Sequence, residues 1–198
     1  MAPPQILLTG FGPFPGVEHN PSGELALALA ADPPPGLAVS ARVLPVSFQG
    51  VGAAYDDFLE EAATPAARLL LALGVHPGAT FRLERRARHR LESDRADGDG
   101  HAPGRLDLGG DRDLETPLDL EHLAQRLQAA GAPAVELSHD AGQYVCERTY
   151  HHVLRRAEER GIPGLFLHVP PAASAPVPVQ LGILRAWLPS LLPSLPAP

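Results

Sequence analysis

The sequence contains no lysine, and all sixteen of its basic residues are arginines. That absence removes two chemistries outright: Schiff-base catalysis through an amine side chain, and a phosphate-binding loop built on a lysine. Positive charge is scarce altogether, since 23 Asp and Glu leave a formal net charge of −7. No global basic field exists to draw the chain to phosphate backbones, and nucleic acid is not expected as a partner. Cysteine is reduced to Cys146 alone, so an intrachain disulfide is impossible and the free thiol suits a reducing compartment. Long apolar runs are missing too. The longest, Leu181 to Leu192, is broken by Arg185 and Pro189 and falls short of the roughly 20 residues a membrane-spanning helix needs. Met1 to Thr9 lacks a charged leader region, so the expectation is a cytoplasmic protein with no membrane partner.

What is present suffices for a self-supporting core. At 198 residues with 44% apolar composition, the chain fits one domain without disulfide or metal staples. Abundant Ala, Pro, Gly and Leu beside an all-arginine basic set read as the imprint of a GC-rich genome. Short apolar runs predict strands at Gln5–Thr9, around Val39–Val43, and at Arg68–Leu73, Ala134–Leu137 and Leu165–Val169. Helical patterns lie between them: from Ser22, as cap, through Ala31; Val51–Ala63; Asp119–Gly131; Tyr144–Arg160; and Val177–Leu192, closed by Pro189. Strands alternating with helices predict an α/β fold, a single-domain α/β/α sandwich over residues 1–198 with a largely parallel, twisted central sheet. Arg82 to His89 is charged and β-compatible. Residues 93–113, rich in Asp, Gly and Arg without periodicity, read as a mobile loop or a segment ordered by a partner, and residues 193–198 as a frayed tail.

In folds of this kind ligands sit at the carboxyl ends of strands and the amino ends of helices. Cys146 falls in the first turn of a predicted helix, where unsatisfied N–H groups and the helix dipole would lower the pKa of a nucleophilic thiol. A lone cysteine also serves as a small buried apolar side chain. His168 ends a predicted strand just ahead of Pro170-Pro171, where a base could take the thiol proton; a satisfied core histidine is the alternative. Glu84 could hold the second imidazole nitrogen, or be a solvated ion-pair member of an arginine-rich strand. Phe11 and Phe14 flank Gly12-Pro13 in a loop suited to bracket a flat small ring, with core packing equally consistent. His151 and His152 diverge on their helix and read as surface residues. With no second ligand cluster, neither metal nor cofactor is expected.

The motifs together resemble pyroglutamyl peptidase I, the pyrrolidone carboxyl peptidase family of cysteine peptidases. Leu8-Thr9-Gly10-Phe11-Gly12-Pro13-Phe14 with Asn20-Pro21-Ser22 is similar to that family's opening signature. Ser138 to Cys146, read Ser-His-Asp-Ala-Gly-Gln-Tyr-Val-Cys, is similar to its nucleophile motif, and Phe166-Leu167-His168-Val169-Pro170 to its histidine motif. The resemblance implies a thiol hydrolase that removes N-terminal pyroglutamate through Cys146 as nucleophile, His168 as base and Glu84 as orienting acid. It further implies a substrate loop of Phe11, Phe14 and Asn20, an oxyanion role for Arg95, a pyroglutamyl-peptide substrate and a homotetramer. Ala79, His89 and Glu147 depart from the family pattern. Two alternatives stay open: a hydrolase of other small cyclic amides, and a binding homologue with little turnover.

Overall fold

A computed structural model describes residues 2–195 of the chain. The elements run β1 (Gln5–Phe11), α1 (Pro21–Ala31), β2 (Ala38–Leu44), α2 (Val51–Ala62), β3 (Ala67–Val75), β4 (Phe81–Glu84), β5 (Arg86–Ala87), β6 (Arg90–Ser93), β7 (Gly104–Asp107) and β8 (Leu114–Glu115). They continue with α3 (Leu120–Ala129), β9 (Val135–Ser138), α4 (Val145–Arg160), β10 (Gly164–Val169), α5 (Val177–Trp187) and a 3₁₀ helix, Leu188–Ser194. Six strands form the central sheet in the order β2-β1-β3-β10-β4-β9. β2, β1, β3 and β10 are mutually parallel, and β4 runs antiparallel to β10. The carboxyl ends of β1, β3 and β10 therefore open on the same edge.

The continuous apolar run in β3 is explained by burial on both faces. Leu69, Leu71 and Leu73 face a core shared with α1, α3 and α5, whereas Leu70 and Ala72 face the core under α2 and α4. β10 is buried along its whole length and alternates in the same way: Leu165, Leu167 and Val169 go to the first core and Phe166 to the second. This alternation fixes His168, two residues beyond Phe166, on the α4 side of the sheet.

Several local expectations are corrected. Asn20, not Ser22, caps α1: its carboxamide oxygen accepts the Ser22 N–H at 3.2 Å and the Ser22 hydroxyl at 2.7 Å. β1 extends two residues past the expected Thr9, so Phe11 ends a strand instead of lying in a loop. Of residues 93–113, Ser93 and Gly104–Asp107 belong to strands. β6 and β7 form an antiparallel ribbon with Arg90 opposite Asp107 and Ser93 opposite Gly104. Pro189 does not close the last helix; α5 gives way at Leu188 to the 3₁₀ turn that follows. Of the tail, Leu195 packs into the first core, and 196–198 lie outside the described residues.

Candidate active site

At the edge where β1, β3 and β10 end, a cavity of about 280 Å³ is lined by Phe11, Phe14, Asn20, Arg95, Cys146 and His168 together with Val46, His76, Arg82 and Tyr144. Six of the seven residues expected at the site thus meet on one cavity. The seventh, Glu84, lies behind His168, fully buried in β4.

Antiparallel pairing of β10 with β4 puts His168 opposite Arg82 and Phe166 opposite Glu84. His168 Nδ1 lies 2.7 Å from Glu84 Oε1. An ionised carboxylate only accepts, so Nδ1 carries the hydrogen and neutral His168 keeps Nε2 as a free acceptor. Burial lowers the His168 pKa, with the Glu84 hydrogen bond and charge pulling back up and Arg82 and His76 pushing further down. The backbone carbonyl of Glu84 is itself held by the Tyr150 hydroxyl of α4 at 2.7 Å, which anchors the strand under the helix.

Cys146 sits in the first turn of α4, reached through a tight turn in which Gly142 takes φ +92°, a region costly for other residues. The turn is stitched from within by the Asp140 carboxylate, which accepts the Gly142 N–H at 2.9 Å. Arginines hold it from outside: Arg82 Nη2 of β4 donates to the Asp140 carbonyl at 2.5 Å, Arg86 Nη2 of β5 to the His139 carbonyl at 3.3 Å, and Arg88, just after β5, pairs with the Asp140 carboxylate at 2.8 Å.

The helix start is not the only influence on the Cys146 thiol. Burial pushes the Cys146 thiol up to about 12, and the negative charges of Glu84 and Glu147 add to the effect. Arg95 across the cavity and the cysteine's own backbone N–H favour the thiolate but do not prevail. Burial thus disfavours the charged form of both groups, raising the thiol and lowering the imidazole.

Phe11 is a core residue at 3% exposure, whereas Phe14 is only partly buried, with its ring 6.1 Å from that of Tyr144. Arg95 lies over both of those rings, its guanidinium carbon 4.3 Å from the Tyr144 centroid and 5.5 Å from the Phe14 centroid. Arg95 is thus placed as a roof by cation–π stacking. Asn20 borders the cavity, but its amide nitrogen donates to the Gly12 carbonyl at 3.0 Å, so it shapes the loop between Phe11 and Phe14.

Three residues at the site escaped the sequence reading. His76 uses both ring nitrogens, with Nε2 2.6 Å from the Thr80 carbonyl and Nδ1 accepting the Gly78 N–H, and stands 5.7 Å from the His168 ring. Arg82 is two residues ahead of Glu84, an alternation that places both on one strand face and could have flagged it. Tyr144, next to the nucleophile turn, donates its hydroxyl to the Ala96 carbonyl at 2.9 Å. Elsewhere, His151 is corrected from surface to core: it is 2% exposed, and burial lowers its pKa to about 4. His152, partly buried, meets Asp56 at 2.8 Å across to α2. No described helix is long and apolar enough to cross a membrane.

Comparison with known proteins points in one direction. The family model described as pyroglutamyl peptidase matches residues 4–183. The pyrrolidone-carboxylate peptidase of Cupriavidus necator is 31% identical over 191 residues, covering 92% of this chain and 87% of that protein. That of Halalkalibacterium halodurans is 32% identical over 170 residues, covering 83% of each. Among solved structures, the pyrrolidone carboxyl peptidase of Fervidobacterium islandicum superposes with a TM-score of 0.87 at 26% identity, covering 98% of this chain and 100% of the other. The Thermus thermophilus enzyme gives 0.79 at 32% identity, covering 92% and 98%.

Proposed function

The chain belongs to the pyroglutamyl peptidase family of cysteine peptidases, and from that premise we propose that it hydrolyses the amide joining an N-terminal 5-oxoproline to the next residue, with Cys146 as nucleophile, His168 as base and Glu84 as orienting acid. One observation carries the assignment: Cys146 and His168 border the same cavity, and the His168 Nδ1 is held 2.7 Å from the buried Glu84. In this mechanism the neutral Nε2 of His168 takes the thiol proton as sulfur attacks the exocyclic carbonyl. The charge developing on the carbonyl oxygen is met by N–H groups at the head of α4, with Arg95 adding positive potential. His168 then protonates the departing amine, and water hydrolyses the thioester.

The lactam ring of the substrate would lie against Phe14 and Phe11 under the Arg95–Tyr144 roof. A pyroglutamyl end carries no ammonium, which fits a cavity whose described lining includes Arg82 and Arg95 but no carboxylate, the acid being held behind the histidine and not facing the ligand. The same reading carries a reducing compartment for the free thiol. It also carries a homo-oligomer that would cover the exposed Leu27 of α1 and Val179 of α5.

Hydrolysis of a chromogenic pyroglutamyl amide by the protein, and its loss in Cys146→Ala, tests the proposal. A binding homologue would bind the amide without turnover. A hydrolase of other cyclic amides would prefer a lactam lacking the peptide carbonyl.

A further inference from the structure

We propose that Arg82 is a positioning residue of this reaction: it supplies the charge that balances Glu84, and the same guanidinium ties that acid to the turn carrying the nucleophile. The inference rests on the roles assigned above to Cys146, His168 and Glu84.

Glu84 is fully buried, and its Oε2 has no hydrogen-bond partner among the described residues. All its compensation falls on Oε1, which accepts from His168 Nδ1 at 2.7 Å and from Arg82 Nε at 3.0 Å. A carboxylate withdrawn from water is sustained as an anion only when paired and hydrogen-bonded. The ion-pair partners of Glu84 among the described residues are Arg82 and His168, and His168 carries charge only when protonated. Before turnover, then, Arg82 is the counter-ion. Without it the buried site regains balance by holding a proton on His168 or on Glu84 itself. The first consumes the base, and the second weakens the group that orients it.

The groups facing His168 are Glu84 and Arg82 from β4, His76 just past the end of β3, and the Cys146 thiol of α4 on the same cavity. Glu84 favours the imidazolium, and Arg82 and His76 oppose it. Arg82 therefore acts on the base in the direction that keeps it able to accept a proton.

Its second task is geometric. Residues 82 and 84 share a strand face. From there the far nitrogen of the guanidinium reaches the Asp140 carbonyl at 2.5 Å, while Nε serves Glu84. One planar fork thus spans from the acid of the triad to the turn whose Gly142 leads into α4 and Cys146. A lysine ammonium, a point donor on a flexible stem, could serve one end only.

The test uses the whole protein with R82Q and R82K, reading kcat and KM on a pyroglutamyl amide, the pH profile of kcat/KM, and the titration midpoint of the His168 imidazole by NMR. R82Q is expected to lower kcat by about tenfold or more with KM changed by less than about twofold. Its His168 midpoint, and with it the acidic limb of the profile, should move upward. R82K should keep the midpoint near that of the unmodified protein yet still lose kcat. Folded R82Q with unchanged kcat and unchanged His168 midpoint overturns the proposal. Where R82Q fails to fold, R82K with unmodified kcat overturns it equally. Should the unmodified protein not cleave pyroglutamyl amides, the functional assignment falls by that result, and the His168 midpoint in R82Q still decides whether Arg82 governs the base.

Discussion

Gly74 of β3 lies so close to Cys146 that a Cβ placed on it would stand 3.2 Å from the Sγ and 2.8 Å from the Phe166 ring. The absent side chain is what lets the first turn of α4 press its sulfur onto the sheet beside β10. Gly74→Ala is expected to displace the sulfur or the ring by a few tenths of an ångström. Stability should fall by about 1–3 kcal/mol, as for overpacking of a filled core. Activity should fall by more than unfolding accounts for, because small displacements of reacting groups are costly. Paired thermal melts and kcat values check this; full specific activity in a folded Gly74→Ala protein would refute the close-packed sulfur.

The half-buried Cys146 thiol makes a prediction about alkylation. Burial pushes the Cys146 thiol up to about 12, so the thiolate fraction is small at neutral pH and rises steadily with alkalinity. Iodoacetamide inactivation should therefore accelerate through pH 9 with no plateau near neutrality, since thiolate is the nucleophile. A plateau below pH 8 would show a stabilised thiolate and return the helix-dipole expectation to favour.

His168 and Glu84 should differ in what their loss costs. His168→Ala removes the proton acceptor, so kcat/KM should fall by about 10³–10⁴-fold, the upper part of the range for general-base groups. Glu84→Gln keeps the base itself and an oxygen that can hold Nδ1–H, so it should cost less than His168→Ala. Assaying both on one pyroglutamyl amide separates them. A histidine variant as active as the unmodified protein takes His168 out of the reaction.

Much of the framework is legible because it is local. The runs at Leu69–Leu73 and Leu165–Val169 and the helix ending at Gly161, whose φ of +65° is a left-handed cap, follow from pattern alone. The roles of Cys146 and His168 rest on motifs within a few residues of each. What stayed hidden depends on partners distant in the chain. The Arg82 fork is meaningful only once β9 brings Asp140 beside β4, and His151 is buried because neighbouring elements close over its side of α4. Cys146 has the position of a helix start, which the sequence shows, but the burial and the facing acids that decide its pKa come from β4 and the packed helix.

Asp97 makes the roof over the cavity dependent on acid. It is 1% exposed, and its carboxylate accepts the Phe48 N–H at 2.7 Å, the His101 N–H at 2.9 Å and the Asp99 N–H at 3.0 Å. This pins the segment bearing Arg95 to the Val46–Phe48 loop. Burial works against the charged form, but these donors outweigh it and hold the Asp97 carboxyl below its ordinary value. A depressed native pKa gives stability that is fully present above the unfolded value, about 3.9, and is lost as pH falls through the native one. Asp97→Asn faces an amide nitrogen toward a backbone donor and should cost about 1–3 kcal/mol at neutral pH. The melting-temperature gap between the two proteins should narrow below about pH 4, where the unmodified carboxylate is itself being protonated. A gap independent of pH would mean the charge contributes nothing.

The two phenylalanines at the cavity divide between packing and recognition, and their burial says how. Phe11 ends β1 at 3% exposure inside the α2/α4 core, whereas Phe14 is partly buried and meets Tyr144 and Arg95 across the cavity mouth. Phe11→Ala should therefore behave as a core deletion, losing about 3–5 kcal/mol of stability with activity following the folded fraction as well as the altered cavity wall. Phe14→Ala should leave the melting temperature nearly unchanged and lower kcat/KM for pyroglutamyl amides, by about 1–3 kcal/mol in transition-state stabilisation. The same contact predicts selectivity. A prolyl amide lacks the ring carbonyl and carries a secondary ammonium, which the aromatic cavity would bury beside Arg95 without a partner, so it should be refused. Comparable kcat/KM for prolyl and pyroglutamyl amides would make the cavity a general imino-acid site and remove the lactam from the argument.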